Sequence, residues 1–317
     1  MKSRFAVLCV LYLSLVGCMD KPNLEIKIGI NPWPGYEFLY LAEKKGFFKK
    51  VGLNIKLLQL VSLADSQRAY VNGKTDGLAS TIIEAVQAEA LGGKPLQVVM
   101  VPDYSNGGDV ILTSRSNMAM ADLKGKVIGA EVSSLGIFVL ERALRKAGLS
   151  LAHVTLVNVE QAQGEAALLD GRIDAFVTYP PVSISVLKHE KFHKVFGSDE
   201  IPKEIVDTVS LSKEVIAANP GIVKKLRKAW QLALDYVEAH PDEAYQLMAT
   251  REGITAEEFK NVLTDLVILN AKEQEALFSD GTSLAKSAVS VCQTLVHVKA
   301  INVDCSGYAK LIYRDEN

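Results

Sequence analysis

The chain lacks the signatures of several large function classes. No stretch of Lys and Arg dominates one face. The charged residues nearly cancel, 35 basic against 37 acidic, so nucleic acid is an unsuitable partner. There are five histidines, His153, His189, His193, His240 and His297, and none has metal-ligand spacing. His189 and His193 stand four apart, but Glu190, Lys191 and Phe192 lie between them, which is not the metalloprotease pattern. No phosphate-cradling glycine loop and no nucleophile elbow occur. Internal repeats and low-complexity tracts are missing. No metal and no cofactor are implied by these residues. At 49% hydrophobic and 23% charged, the chain has the ordinary composition of a folded protein and can bury large cores. Its 317 residues suit two folding units at roughly 100–200 residues each.

The N-terminus departs from this. Lys2 and Arg4 precede an apolar run over residues 5–16, too short to span a bilayer, and Gly17 and Cys18 follow. That order reads as an export signal covering residues 1–17. Leu15-Val16-Gly17-Cys18 resembles a bacterial lipobox. The resemblance implies cleavage before Cys18 and lipidation of Cys18, with several acyl chains holding the protein on a membrane. Residues 18–24 would then be a tether. A buried core helix or an ordinary cleaved signal without lipid are the plainer alternatives. Cys9 leaves with the signal and Cys18 is acylated, so Cys292 and Cys305 remain as an even pair in an oxidising compartment. The pair reads as one disulfide or as two buried thiols.

From residue 24 onward, short apolar strands alternate with helices of about ten residues, the rhythm of βαβ crossovers and a mostly parallel sheet. Strands are expected over residues 24–30, 53–61, 77–80 and 96–101, with helices over 39–48, 66–72 and 82–91. The rhythm restarts after Gly107-Gly108, with strands over 110–113, 127–131, 154–159 and 175–178 and helices over 137–147 and 162–169. After residue 212 the pattern is helical, over 222–240, 242–249, 256–269 and 282–298. Two joints, residues 102–108 and 202–212, imply that the chain leaves one lobe, builds another and returns. Lobe one is expected over 25–102 and 208–317, lobe two over 103–207, with the helical tail packed on lobe one. A ligand would sit beyond the carboxyl ends of the strands, between hinged lobes.

Several motifs carry a resemblance. Ile30-Asn31-Pro32-Trp33-Pro34-Gly35-Tyr36, then Leu41-Ala42-Glu43-Lys44-Lys45-Gly46-Phe47-Phe48 and Gly52-Leu53, resemble the opening of the ABC-importer substrate-binding proteins for nitrate, sulfonates, taurine and thiamine precursors. Asp122-Leu123-Lys124-Gly125-Lys126-Val127-Ile128-Gly129 is similar to that family's second-lobe start. Gly171-Arg172-Ile173-Asp174-Ala175 with Tyr179-Pro180-Pro181 is similar to its late second-lobe strand and turn. The similarity spans most of residues 24–240. It implies a type II periplasmic-binding α/β fold, a monomer on the periplasmic side of a bacterial membrane, and as partners a small-molecule ligand, a permease and its ATPase. Transport, not catalysis, is the implied role. A membrane sensor instead of a permease is the alternative partner. The fold also hosts cytoplasmic enzymes, dehydratases of menaquinone synthesis and a yeast pyrimidine synthase among them, and an export signal does not suit those roles.

The candidate ligand residues follow from position. Asn31, Trp33 and Tyr36 stand just after the first strand, where an indole can stack on a planar ligand or pack over the lobe edge. Ser80 and Thr81 open a helix whose free amides hold a carbonyl or anion, or are simply capped. Ser133 and Ser134 occupy the matching junction of the second lobe, and Glu131 precedes them. Asp103 and Ser105 lie in the first joint, where Asp and Asn also satisfy turns. Tyr179 ends the late strand. The cleft loops 31–38, 80–85, 103–109, 131–137 and 178–182 contain no Lys or Arg but hold Glu37, Glu84, Asp103, Asp109 and Glu131. That pattern favours a cationic or neutral nitrogen heterocycle, a thiamine-type pyrimidine within this family, over nitrate or a sulfonate. An anion on the Ser80 and Ser133 junctions remains the alternative, with the acids turned to solvent.

Overall fold

The computed structural model describes residues 25–114 and 118–314. The expected signal over 1–17, the tether over 18–24 and Cys18 lie outside the described residues. In chain order the elements are β1 (Ile26–Ile30), α1 (Glu37–Lys44), α2 (Phe47–Lys50), β2 (Ile55–Gln59), α3 (Leu63–Val71), β3 (Gly77–Thr81), α4 (Ile82–Ala90), β4 (Leu96–Met100), β5 (Asp103–Ser105) and β6 (Val110–Thr113). There follow β7 (Val127–Ala130), α5 (Leu135–Lys146), β8 (Thr155–Asn158), α6 (Gln161–Leu169), β9 (Ala175–Thr178), α7 (Val182–Leu187), β10 (His193–Gly197) and β11 (Asp207–Ser212). The tail holds α8 (Lys213–Ala218), α9 (Ile222–Ala239), α10 (Pro241–Glu252), α11 (Ala256–Leu263), β12 (Leu266–Ile268), α12 (Ala271–Asp280) and α13 (Thr282–His297).

The strands form two five-stranded sheets, β2-β1-β3-β11-β4 and β10-β6-β9-β7-β8. They are the cores of two lobes. Both sheets are mixed, which corrects the mostly parallel expectation: β1 pairs in parallel with β2 and β3, whereas β11 runs antiparallel to β3 and β4. The second lobe repeats the division, with β7 parallel to β8 and β9 and β6 antiparallel to β9 and β10. The expected joint over 202–212 is also corrected. Its second half is β11, a central strand with all six residues buried. Ser and Thr at alternate positions disguised it; Thr208 Oγ1 donates to the Ser80 carbonyl at 2.9 Å and Ser212 Oγ accepts from Val215 N at 3.2 Å, while the Ser210 hydroxyl is buried without a partner.

The tail packs on the first lobe. In α9 the buried residues Ile222, Val223, Leu226, Ala229, Trp230, Ala233 and Val237 recur at helical spacing and make one apolar face. Arg227 Nε donates to the Val99 carbonyl at 2.9 Å and Trp230 Nε1 to that of Leu269 at 2.8 Å, fixing the helix to β4 and to the chain beyond β12. The helix expected over 256–269 stops at Leu263. Its last residues form β12, which pairs antiparallel with β5 because the β5 edge offers ladder partners that a continued helix would leave unpaired. Cys292 and Cys305 form a disulfide with Cα atoms 5.7 Å apart, joining α13 to the last turn of the chain.

Two crossings join the lobes, side by side. Tyr104 in β5 bridges Val206 in antiparallel fashion, and Ser105 N donates to the Ile205 carbonyl at 3.2 Å. β12 lies along the same ladder, so the tail borders the joint.

Candidate functional site

The lobes meet over the carboxyl ends of β1, β3, β7 and β9. The loop after β1 supplies Trp33 and Tyr36, buried to 4% and 0% exposure. Trp33 Nε1 donates to both carboxylate oxygens of Asp103, at 3.3 and 3.4 Å. Tyr36 donates its hydroxyl to Asp207. Tyr179, from the second lobe, meets the Trp33 ring edge-on at 6.1 Å and accepts a hydrogen bond from Leu63 N at 3.2 Å. Three aromatic rings from both lobes therefore enclose one space.

Gly35 and Gly108 make this closeness possible. A Cβ at Gly35 would stand 1.9 Å from Asp103 Oδ2 and 2.9 Å from Trp33 Nε1. A Cβ at Gly108 would stand 2.8 Å from the indole edge. A methyl at either position would push the indole off its acidic partner.

Around these rings lie five buried carboxylates, Glu84, Asp103, Asp109, Glu131 and Asp207. Burial drives all five toward the protonated form. Asp103 and Asp109 are each raised to about 7, and so is Glu131. Asp207 is raised well above the usual carboxylate range, by burial first and then by the charges of Asp103 and Asp109. Hydrogen bonds oppose the shift without cancelling it: the Ser105 side chain does so at the Asp109 carboxyl, and Glu131 accepts from Gln161 N at 3.2 Å. One oxygen each of Asp109, Glu131 and Asp207 is buried without a partner. Trp33, Tyr36, Leu63, Thr81, Asp109, Leu135 and Asp207 line a closed gap between the lobes that leaves no room for a water molecule. No Lys or Arg lines it. Among the described residues, no three His, Cys, Asp or Glu converge in a way that would hold a metal ion.

The structure gathers Trp33, Tyr36, Thr81, Asp103, Glu131, Ser134 and Tyr179 at this interface. Asn31 is buried beside it, its Nδ2 on the Pro32 carbonyl at 2.9 Å and its Oδ1 without a partner. Ser80 points into the sheet and donates to the Thr81 carbonyl at 3.0 Å. Ser105 shares a 2.8 Å hydrogen bond with Ser198 and so braces the two crossings. Ser133 is exposed and stands outside the cluster. Glu37 turns the other way, to Arg251. Sequence reading missed Asp207, hidden in the supposed joint, and Leu63, whose amide holds Tyr179. The Ser62 N-cap that opens α3 was the available signal for the second.

The whole arrangement matches known proteins in shape. The alkanesulfonate-binding protein SsuA of Xanthomonas axonopodis pv. citri, solved with MOPS, superposes with a TM-score of 0.75 over 92% of this chain and 98% of its own, at 18% identity. The aliphatic sulphonate binding protein SsuA of Escherichia coli gives the same TM-score and identity over 92% of each chain. These likenesses establish the periplasmic-binding fold. In sequence, a Haemophilus influenzae protein named for thiamine biosynthesis is 28% identical over 233 residues, 71% of this chain and 72% of its own. The Saccharomyces cerevisiae 4-amino-5-hydroxymethyl-2-methylpyrimidine phosphate synthase THI13 is 24% identical over 247 residues, 72% of this chain and 71% of its own. The family model described as NMT1/THI5 like matches residues 33–244. With two thirds of its length inside that match, the chain belongs to the NMT1/THI5-like family.

Proposed function

We propose that the protein captures a small cationic or proton-accepting nitrogen heterocycle of the aminopyrimidine class between its lobes and delivers it to an ABC importer. The observation that carries this reading is the unbalanced cleft: five buried carboxylates and three aromatic rings, with no Lys or Arg lining the gap. A ring nitrogen or amino group would donate to Asp103, Asp109 or Asp207, and the ring would rest against Trp33. A fully ionised anion would meet like charges in a low-dielectric space. Asn31, Trp33, Tyr36, Thr81, Asp103, Glu131, Ser134 and Tyr179 are the proposed contact residues. The two sheets act as lobes closing about the paired crossings. Export through residues 1–17 and an anchor at Cys18 would hold the protein on the outer side of a cytoplasmic membrane or within the periplasm.

Binding without catalysis is the preferred role, because none of the five histidines lies among the cleft residues. The yeast relatives named as pyrimidine phosphate synthases favour an enzymatic reading. Incubation with a pyrimidine followed by mass spectrometry separates the two: a binder returns its ligand unchanged. Isothermal titration of the protein lacking residues 1–17 is the direct test. Tight binding of 4-amino-5-hydroxymethyl-2-methylpyrimidine, with no heat from ethanesulfonate, is expected; the reverse pattern overturns the proposal. Permease and ATPase genes beside this one would favour import, and a membrane-sensor gene would favour signalling.

A further inference from the structure

One carboxylate caps two helices in opposite lobes. Within lobe one, Glu84 closes the capping box of α4: its Oε2 accepts from Thr81 N at 2.9 Å and from Thr81 Oγ1 at 2.6 Å. Its Oε1 reaches across the cleft. There it accepts from Ser134 Oγ at 2.6 Å and from Leu135 N at 2.7 Å, at the start of the twelve-residue α5. Ser134 is the N-cap of α5 yet makes no side-chain bond to its own helix. Its hydroxyl serves Glu84 instead.

The first amides of a helix and the positive end of its dipole form a natural seat for an anion. Here that seat is filled by the protein's own Glu84 carboxyl group. Glu84 is fully buried, and no Lys or Arg shares its carboxylate. Thr81 and Leu135, whose N–H groups hold it, line the same gap as Asp109 and Asp207, each with one unpartnered oxygen. A sulfonate or carboxylate ligand arriving at α5 would have to break the two lobe-two bonds and leave Glu84 buried next to both itself and Asp109. A cationic or neutral ligand has no such conflict. The two lobe-two bonds also exist only while the lobes are together.

We propose that Glu84 is the specificity-determining residue of the cleft, a built-in carboxyl group that occupies the α5 amides and so excludes anionic ligands, and that it latches the closed lobes. The first half rests on the cleft being the ligand site; the latch does not.

The test uses Glu84→Ala, Glu84→Gln and Ser134→Ala. The last leaves the α4 capping box intact and so remains informative if the Glu84 variants fail to fold. Small-angle scattering of the ligand-free proteins reads the latch. Wild type is expected to be compact, with Glu84→Ala and Ser134→Ala giving a larger radius of gyration; equal radii in all forms overturn the latch. Titration with ethanesulfonate reads the exclusion. Wild type is expected to reject it and Glu84→Ala to gain affinity on the order of tenfold or more. Rejection by both overturns the exclusion, and so does tight binding by wild type. Should wild type bind neither ethanesulfonate nor the aminopyrimidine, the ligand reading and the exclusion fall together, while the scattering comparison still decides the latch.

Discussion

Two buried acid clusters flank the same loop, and they are built in opposite ways. On one side, Arg251 donates to Glu37 and lies near the Asn31 carbonyl at 3.5 Å, and its charge also acts on Glu252, which makes no hydrogen bond to it. Arg251 side-chain exposure is 4% and that of Glu37 is 0%. Burial still lifts Glu37 to about 7 against the pull of Arg251, and Glu252 is raised well above the usual carboxylate range, by burial first and then by the charge of Glu37. One cation and one retained proton thus balance two acids. On the other side, Asp103 and Asp207 have aromatic donors, Asp109 has the Ser105 side chain, and the three have no built-in cation. The first cluster carries its own cation and fixes the loop after β1, although both oxygens of Glu252 are buried without a hydrogen-bond partner. The second is expected to be completed by protons in the ligand-free protein and by a ligand in the bound one. Buried acids alone do not mark a binding site; a group of them with no built-in cation is the candidate.

The largest effect should come from breaking the cluster that holds its own cation. Arg251→Met leaves Glu37 and Glu252 without a cation and should cost about 3–5 kcal/mol of stability by denaturant titration. If stability is unchanged, the two clusters do not differ as argued. Asp207→Asn should act in the other direction. Its amide oxygen still accepts from Tyr36, so the ligand-free protein should be as stable or more stable, whereas affinity for an aminopyrimidine should fall by about 2–5 kcal/mol in calorimetry. A loss of stability equal to that of Arg251→Met would make Asp207 structural.

The pH response sharpens the contrast. Asp103 and Asp109 rise from 3.8 to about 7 in the folded state, so the folded protein binds more protons than the unfolded one. Their contribution to stability is full below the unfolded value and is lost as pH climbs through about 7. Scanning calorimetry of the ligand-free protein should show melting temperature falling over that window. A cationic ligand should expel protons, seen as a binding enthalpy that varies with the buffer's ionisation enthalpy. No buffer dependence would mean the acids are already ionised. The smallest effect belongs to Trp33→Phe, which keeps a ring but removes the Nε1–H donated to Asp103. It should cost about 1 kcal/mol of ligand-free stability and raise the Asp103 pKa further. An unchanged Asp103 titration, followed by carboxyl NMR, would remove the indole from the cluster.

Much of the first-lobe crossover pattern could be read in the residues. Thr81 with Glu84 three positions on is a capping box in plain sequence, and the apolar spacing of α9 announces its face. Asp207 could not be found the same way, because a strand of alternating hydroxyl and apolar residues looks like a linker until its neighbours β3 and β4 supply the ladder. Leu266–Ile268 shows the same limit: helix spacing continues through it, and only the free edge of β5 turns it into a strand.

The sequence by itself determined the two-lobed plan, the acid-rich and cation-free cleft loops and the aromatic residues among them, since these depend on local periodicity and residue type. Only the tertiary structure decided which acids are partnered. Arg251 neutralises Glu37 from 214 positions away, Asp207 joins Tyr36 across 171, and Glu84 reaches Leu135 across 51. Partnership is a matter of distance in space and of shielding from water, and neither is written in the order of residues along the chain.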